Sequence, residues 1–231
     1  MTIEKGRNIM SSRRRNYKIR NIMKVLVACE FSGIVRDAFI KKGHDAISCD
    51  LLPTERPGPH IQGDVLDILE DGWDLMIAHP PCTYISYAGT RWWNDSGRCK
   101  KRLEALEFFR QLWEAPIGKI CIENPRSCAS PTIAKYTQSI NPFYFGDEAT
   151  KPTWLWLKNL PNLIHIKQET MFEKKTHVGK GEFVYHTTKS GKVKGDSKWY
   201  TEAFSLPPEE RMKIRAKTFQ GIANAMAEQW G

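Results

Sequence analysis

Leu75-Met76-Ile77-Ala78-His79-Pro80-Pro81-Cys82-Thr83-Tyr84-Ile85-Ser86 is the stretch on which the fold turns. Four apolar residues stop at two prolines, and proline brings no N–H to a strand ladder while holding the residue before it extended. The pattern predicts a strand buried on both faces that ends at His79 and hands a cysteine to the loop beyond its carboxyl end. In open α/β sheets that edge binds ligands, so Cys82 is a candidate nucleophile. A free thiol is as readily a small buried hydrophobe, and the local pattern leaves both readings open.

The flanking sequence repeats the design. Lys24-Val25-Leu26-Val27-Ala28-Cys29 reads as a central strand, followed by Glu30-Phe31-Ser32-Gly33-Ile34, where Gly33 allows a tight turn or close approach to a cofactor. A short helix over 35–42 closes at Gly43, and a second strand, Ala46-Ile47-Ser48-Cys49, ends in Asp50. An acid at that position suits ribose hydroxyls, although Asp also forms turns. After a Pro/Gly-rich loop over 51–60, His60 to Val65 places Asp64 near the end of a third short strand, and 67–72 reads as a short helix. Residues 100–114 form an amphipathic helix with Leu103, Leu106, Phe109, Leu112 and Trp113 on its apolar face. Lys119-Ile120-Cys121-Ile122-Glu123-Asn124-Pro125 is again an apolar strand with polar residues at its end and a proline stop. Glu123 and Cys82 are thereby expected at the same edge of nearby strands. The alternation of strand and helix predicts an α/β class with a mostly parallel, Rossmann-like central sheet covered on both faces.

Composition narrows the setting. No apolar run approaches the roughly 18 residues of a membrane span, and the basic start lacks a signal-peptide core, so a cytoplasmic protein without membrane partners is expected. Six cysteines show no Cys-x-x-Cys or His/Cys ligand spacing, which points to reduced thiols and to neither zinc nor any other metal. The formal net charge of +9 suggests a polyanionic partner. Seven Lys or Arg against one Glu in residues 1–22 supply +6 of it; that segment reads as a disordered basic extension, the alternatives being a nucleic-acid arm and translation upstream of a start at Met23. Between Thr83 and Gly97, Tyr84, Tyr87, Trp92 and Trp93 interleave with Arg91, as a loop that stacks bases and meets phosphates would; a lid packed on its own core has the same composition. Beyond residue 125, 143–147 and 151–157 read as strands, and 182–186 with 198–200 as the arms of a hairpin. Helices are expected from Pro207 and over 219–230.

The order of these features resembles the cytosine-C5 DNA methyltransferases. That family carries Phe-x-Gly after strand one, acids after strands two and three, Pro-Cys after strand four and Glu-Asn after strand five. The counterparts are Phe31-Ser32-Gly33, Asp50, Gly63-Asp64, Pro80-Pro81-Cys82 and Glu123-Asn124-Pro125. The likeness to small phage and prophage-type members, among which restriction-modification enzymes occur, continues through 151–161 and Thr218-Phe219-Gln220-Gly221-Ile222-Ala223. It implies a methyltransferase core over 23–159 and 211–231 with a short target-recognition-like region at 160–210. It further implies S-adenosylmethionine held by Phe31, Ser32, Gly33, Asp50, Asp64 and Pro80. By the same resemblance Cys82 adds to C6 of cytosine, Glu123 bonds N3 and the exocyclic amine, and Asn124, Tyr84 and Arg91 serve the substrate. DNA is the implied partner, its target base flipped from the duplex.

The chain also departs from the family. Thr83 stands where Gln is usual, Pro125 where Val is usual, and Gly221-Ile222 where Gly-Asn is usual. The arginine motif after the Glu-Asn strand has no clear counterpart, Lys151 being the basic residue nearest to the role. The alternatives are the same chemistry on RNA or a free nucleotide, and a relative that binds cofactor or DNA without turnover. An amino-methyltransferase is disfavoured because it needs an aromatic residue where Cys82 stands.

Overall fold

The computed structural model describes residues 21–231 apart from Ser96 and Lys189; residues 1–20, most of the expected basic extension, lie outside the described residues. The chain runs β1 (Lys24–Ala28), α1 (Ile34–Lys41), β2 (Asp45–Asp50), β3 (His60–Gln62), β4 (Leu75–Ala78), α2 (Arg98–Glu114) and β5 (Lys119–Asn124). It continues through α3 (Ala129–Thr132), β6 (Gln138–Ile140), β7 (Thr153–Lys158), β8 (Phe183–Thr187), β9 (Val193–Ser197), α4 (Lys198–Ala203), α5 (Pro208–Ala216) and α6 (Gln220–Trp230). Seven strands form one sheet in the order β3-β2-β1-β4-β5-β7-β6. β1 to β5 are parallel, and β7 runs antiparallel to both β5 and β6. The chain builds outward from β1 to β3, then returns to the other side of β1 for β4, so the strand order reverses between β1 and β4.

The period of two along each strand divides the core into two layers. Leu26, Ala28, Met76, Ala78, Ile120 and Ile122 pack with Leu106, Phe109 and Leu112 of α2 and with Trp156. Val25, Val27, Leu75, Ile77 and Cys121 pack on the other face with Val35 and Phe39 of α1 and Ile222, Ala223, Met226 and Trp230 of α6. Both faces are therefore covered, which is why these strands read as unbroken apolar runs. Among the described residues, no helix is long and apolar enough to cross a membrane.

Four local expectations are corrected. Residues 143–147 are not a strand: Pro142 starts a 3-10 turn over Pro142–Tyr144, and the sheet strand is β6, just before it. The expected helix at 67–72 is a 3-10 turn at Val65–Ile68 capped by Asp64, whose carboxylate accepts the Leu66 N–H at 3.0 Å. The second hairpin arm is β9, with 198–200 inside α4. Thr188 and Lys192 close the hairpin turn, so Thr187 pairs with Val193 and the second arm must begin there. Leu103 lies on the exposed side of α2.

Candidate active site

The register of the parallel strands sets out the site. Ala28 pairs with both Cys49 and Ala78, and Ala78 pairs with Ile122. One residue further along, Asp50, Cys29, His79 and Glu123 form a row across β2, β1, β4 and β5 at their carboxyl edge. The row straddles the point where strand order reverses, the usual ligand crevice of open α/β sheets. Cys29 has a positive φ of 57°, uncommon for a residue with a Cβ, so the backbone is turned sharply where β1 meets the row.

Glu123 is the electrostatic centre. It is buried, and its Oε2 lies 2.9 Å from His79 Nδ1 while accepting the Thr218 hydroxyl at 3.0 Å. Burial alone pushes a carboxyl pKa up; His79, with help from Lys151 and Thr218, overrides it and holds Glu123 down at about 2. Among the described residues its Oε1 accepts no hydrogen bond. Glu123 is thus an ionised acceptor with one oxygen occupied and one available.

Cys82 sits on the loop after β4, half-buried, and its carbonyl accepts the N–H groups of Ile85 and Ser86 at 3.2 and 2.9 Å. Burial raises the thiol above its ordinary value, the positive charges of Lys151 and Arg215 pull it back in part, and Glu123 pushes it further up. The thiol is within electrostatic reach of Glu123, as the sequence anticipated. It rests protonated at neutral pH. Asn124 is buried and donates to the Pro80 carbonyl at 2.9 Å, so it pins the Pro80-Pro81-Cys82 loop to β5; its Oδ1 is buried with no partner among the described residues.

The residues expected around a cofactor divide into two groups. Asp50 is half-buried, with Oδ1 accepting the Leu52 N–H at 2.9 Å, and burial raises its carboxyl above the ordinary range. Asp64 is exposed, and the charges of both acids reach the Cys29 and Cys49 thiols. Phe31 and Ser32, in contrast, are buried at 6% and 3% exposure. Ser32 donates to Glu30 at 3.2 Å, and Glu30 accepts the N–H of Val35 at 2.7 Å and of Arg36 at 3.3 Å. A carboxylate on the first free N–H groups of a helix offsets its macrodipole, so this turn is built to start α1. Gly33 is needed there for φ +71°, and a Cβ would meet the Arg36 guanidinium at 2.5 Å. Gly221 is likewise structural: its N–H donates to Asp147 at 2.8 Å, and a Cβ would run into the Phe145 carbonyl.

The aromatic loop is held from α2. Arg98 and Lys101 lie over the half-buried Tyr84 ring at 5.0 and 5.5 Å, and Arg102 lies over Trp93 at 4.5 Å. Arg91 is exposed and stacks on its neighbour Trp92 at 4.8 Å. A surface groove of about 350 Å³ runs between Pro81, Tyr84, Lys101, Glu104, Ala105 and Phe108, directly beside Cys82 in sequence. Among the described residues, no group of three or more His, Cys, Asp or Glu side chains is arranged to hold a metal.

His79, Thr218, Glu30 and Arg36 are the residues that sequence reasoning passed over. His79 and Glu30 stood inside quoted motifs and carried a usable signal, an ionisable side chain at a strand end. Thr218 opens the quoted 218–223 stretch, but nothing in that stretch points to Glu123, which it reaches across 95 residues of chain. In comparison with known proteins, no family model matches this chain, and no curated protein matches it either.

Proposed function

We propose that this protein transfers a methyl group to C5 of cytosine in DNA through a covalent bond between Cys82 Sγ and C6. The observation that carries the reading is the pairing of a thiol after β4 with an ionised, half-occupied carboxylate at the end of the adjacent strand β5. Strand order fits it as well: five parallel strands with an antiparallel β7 inserted before β6 give the arrangement expected of a Rossmann-like methyltransferase core.

Each group has work matched to its chemistry. The C5 carbon of cytosine is a weak nucleophile; addition of Cys82 Sγ to C6 makes it enamine-like, and the proton given up by the thiol goes to N3. Glu123 Oε1 accepts from the exocyclic amine, and a carboxylate held ionised would repel the 4-carbonyl of uracil, so the site favours cytosine. Lys151 and Arg215 offset the negative charge of the thiolate. After methylation, water takes the C5 proton, the C5–C6 double bond re-forms as the C6–S bond breaks, and the released Cys82 thiolate recovers the proton from N3. Asp50 fits a ribose: a half-buried carboxyl raised by desolvation gains from two hydroxyl donors. Asp50 and Asp64 at the strand edge would hold S-adenosylmethionine, which would supply the electrophilic methyl group and leave as the neutral thioether.

The test uses labelled S-adenosylmethionine and oligonucleotides in which 5-fluorocytosine replaces cytosine, since fluorine blocks release from Cys82. DNA duplex, single-stranded DNA, RNA and free nucleotide form separate arms. A covalent adduct on DNA that disappears in Cys82→Ala is expected. Absence of both adduct and transferred label in every arm would refute the reading, and an adduct confined to RNA or nucleotide would reassign the substrate.

A further inference from the structure

The carboxylate at the end of β5 is held from two directions. His79 reaches it from the end of β4 and Thr218 from the segment between α5 and α6; both meet Oε2, and they stand 3.4 Å from each other. All three side chains are nearly enclosed, Glu123 at 8% and His79 at 10% side-chain exposure, with Thr218 at 6% overall. The Thr218 segment is itself fastened. Lys217 pairs with Glu55 at 2.6 Å, and its carbonyl accepts the Lys151 ammonium at 3.0 Å. Glu55 in turn donates its N–H to the Phe31 carbonyl at 2.8 Å. A chain of contacts therefore runs from the turn after β1, through the loop before β3, to the acid on β5.

We propose that His79 and Thr218 are positioning residues that lock Oε2 of Glu123 so that Oε1 alone faces the cytosine ring, with Lys217 anchoring the lock to the loop before β3. The role given to Oε1 rests on the methyl-transfer reading; the lock itself does not. A carboxylate free to rotate offers either oxygen to the ring amine, and a misplacement of about 1 Å in such a group lowers rate by as much as 100-fold. With Oε2 taken by two donors, rotation would leave both unpaired inside the protein, which keeps the geometry fixed before substrate arrives. His79 Nε2 is buried with no partner among the described residues, so the imidazole is held by its Nδ1 contacts alone.

The ionisable groups facing Glu123 are His79 from β4, Lys151 ahead of β7, Cys82 from its loop and Cys121 on the same strand. Thr218→Val is isosteric and removes only the hydroxyl; Thr218→Ser keeps it. Two readouts are taken on the full chain: the titration of Glu123 by ¹³C-carboxyl NMR, assigned with Glu123→Gln, and the single-turnover rate of 5-fluorocytosine adduct formation. Thr218→Val should titrate about one pH unit higher than wild type and form adduct roughly 10- to 100-fold more slowly. Thr218→Ser should restore both. An unchanged Glu123 titration in Thr218→Val, or a Thr218→Ser protein no better than Thr218→Val, overturns the lock. A wild type that titrates as expected but makes no adduct on any substrate overturns the functional reading and with it the role of Oε1, leaving the lock standing as structure.

Discussion

Glu123→Gln should change how stability depends on pH, and the size of the change follows from the site. In the folded chain the carboxyl is held at about 2 against an ordinary value of 4.5. A folded-state pKa below the unfolded value stabilises the protein above the unfolded pKa and loses that contribution as pH falls through the folded one. The window here is therefore pH 4.5 down to 2, and the full contribution is about 3 kcal/mol. Glu123 is 8% exposed, so solvent screening takes little of it away. At pH 3 about 2 kcal/mol of the contribution should already be gone. Urea unfolding of wild type and Glu123→Gln at intervals from pH 7 to pH 3 measures it, because other titrating groups cancel in the difference between the two proteins. The stability gap should stay level from pH 7 to about 5.5 and then shift against the wild type by about 2 kcal/mol on reaching pH 3. A gap that holds constant to pH 3 would mean that His79 and Thr218 do not hold the carboxyl down, and the electrostatic account of the site would be wrong.

Two further outcomes are expected. The thiol of Cys82 is raised above its ordinary value by burial, so with the thiolate as nucleophile the single-turnover rate should climb with pH through and beyond 9; a plateau reached below pH 8 in a pH–rate profile would contradict this. Arg36→Met should destabilise the protein by on the order of 3 kcal/mol, read from the urea midpoint, since the enclosed guanidinium donates to Ser48, Thr54 and the carbonyls of Arg56, Pro57 and Pro59; a loss under about 1 kcal/mol would show that the loop before β3 does not depend on it.

The part of this architecture legible in the sequence is the part written in local chemistry. Four apolar residues followed by His79 and Pro80-Pro81 read as a terminated buried strand, and the same syntax at Ile120 to Pro125 puts Glu123 at the same edge of a nearby strand. Where local signals compete, the sequence misleads. Phe143-Tyr144-Phe145 has strand-forming side chains, but Pro142 at the first position and the rings of His165 and His177 stacked on Tyr144 make it a packed turn. The family resemblance implies that Phe31 and Ser32 contact a cofactor; in the structure both are buried, in a turn where Glu30 receives the Ser32 hydroxyl and the Val35 N–H at the start of α1. The partner in a contact distant along the chain has no local signal, and Thr218 is the clearest case: it stands in a quoted motif, but its bond to Glu123 is written nowhere near it.

The same distinction explains why His79 matters. A strand end in a parallel sheet offers one position per strand at the edge, and register alone decides which residues share it. Here the shared row brings Asp50 on β2 and Glu123 on β5 to either side of His79, just past β4, and the sharply turned Cys29, just past β1. Asp50 feels the charge of His79 as well as that of His60, and Glu123 is bonded to His79 directly. On the proposed reading, one imidazole thus stands between the acid assigned to a ribose and the acid assigned to a cytosine. Substituting it would disturb both halves of the site together, whereas substituting Thr218 disturbs only the Glu123 half, and comparing the two variants for cofactor affinity against adduct rate separates a shared row from two independent sites. If His79→Asn leaves cofactor affinity untouched while slowing the adduct as Thr218→Val does, the two halves are independent; loss of both assigns the row a single role.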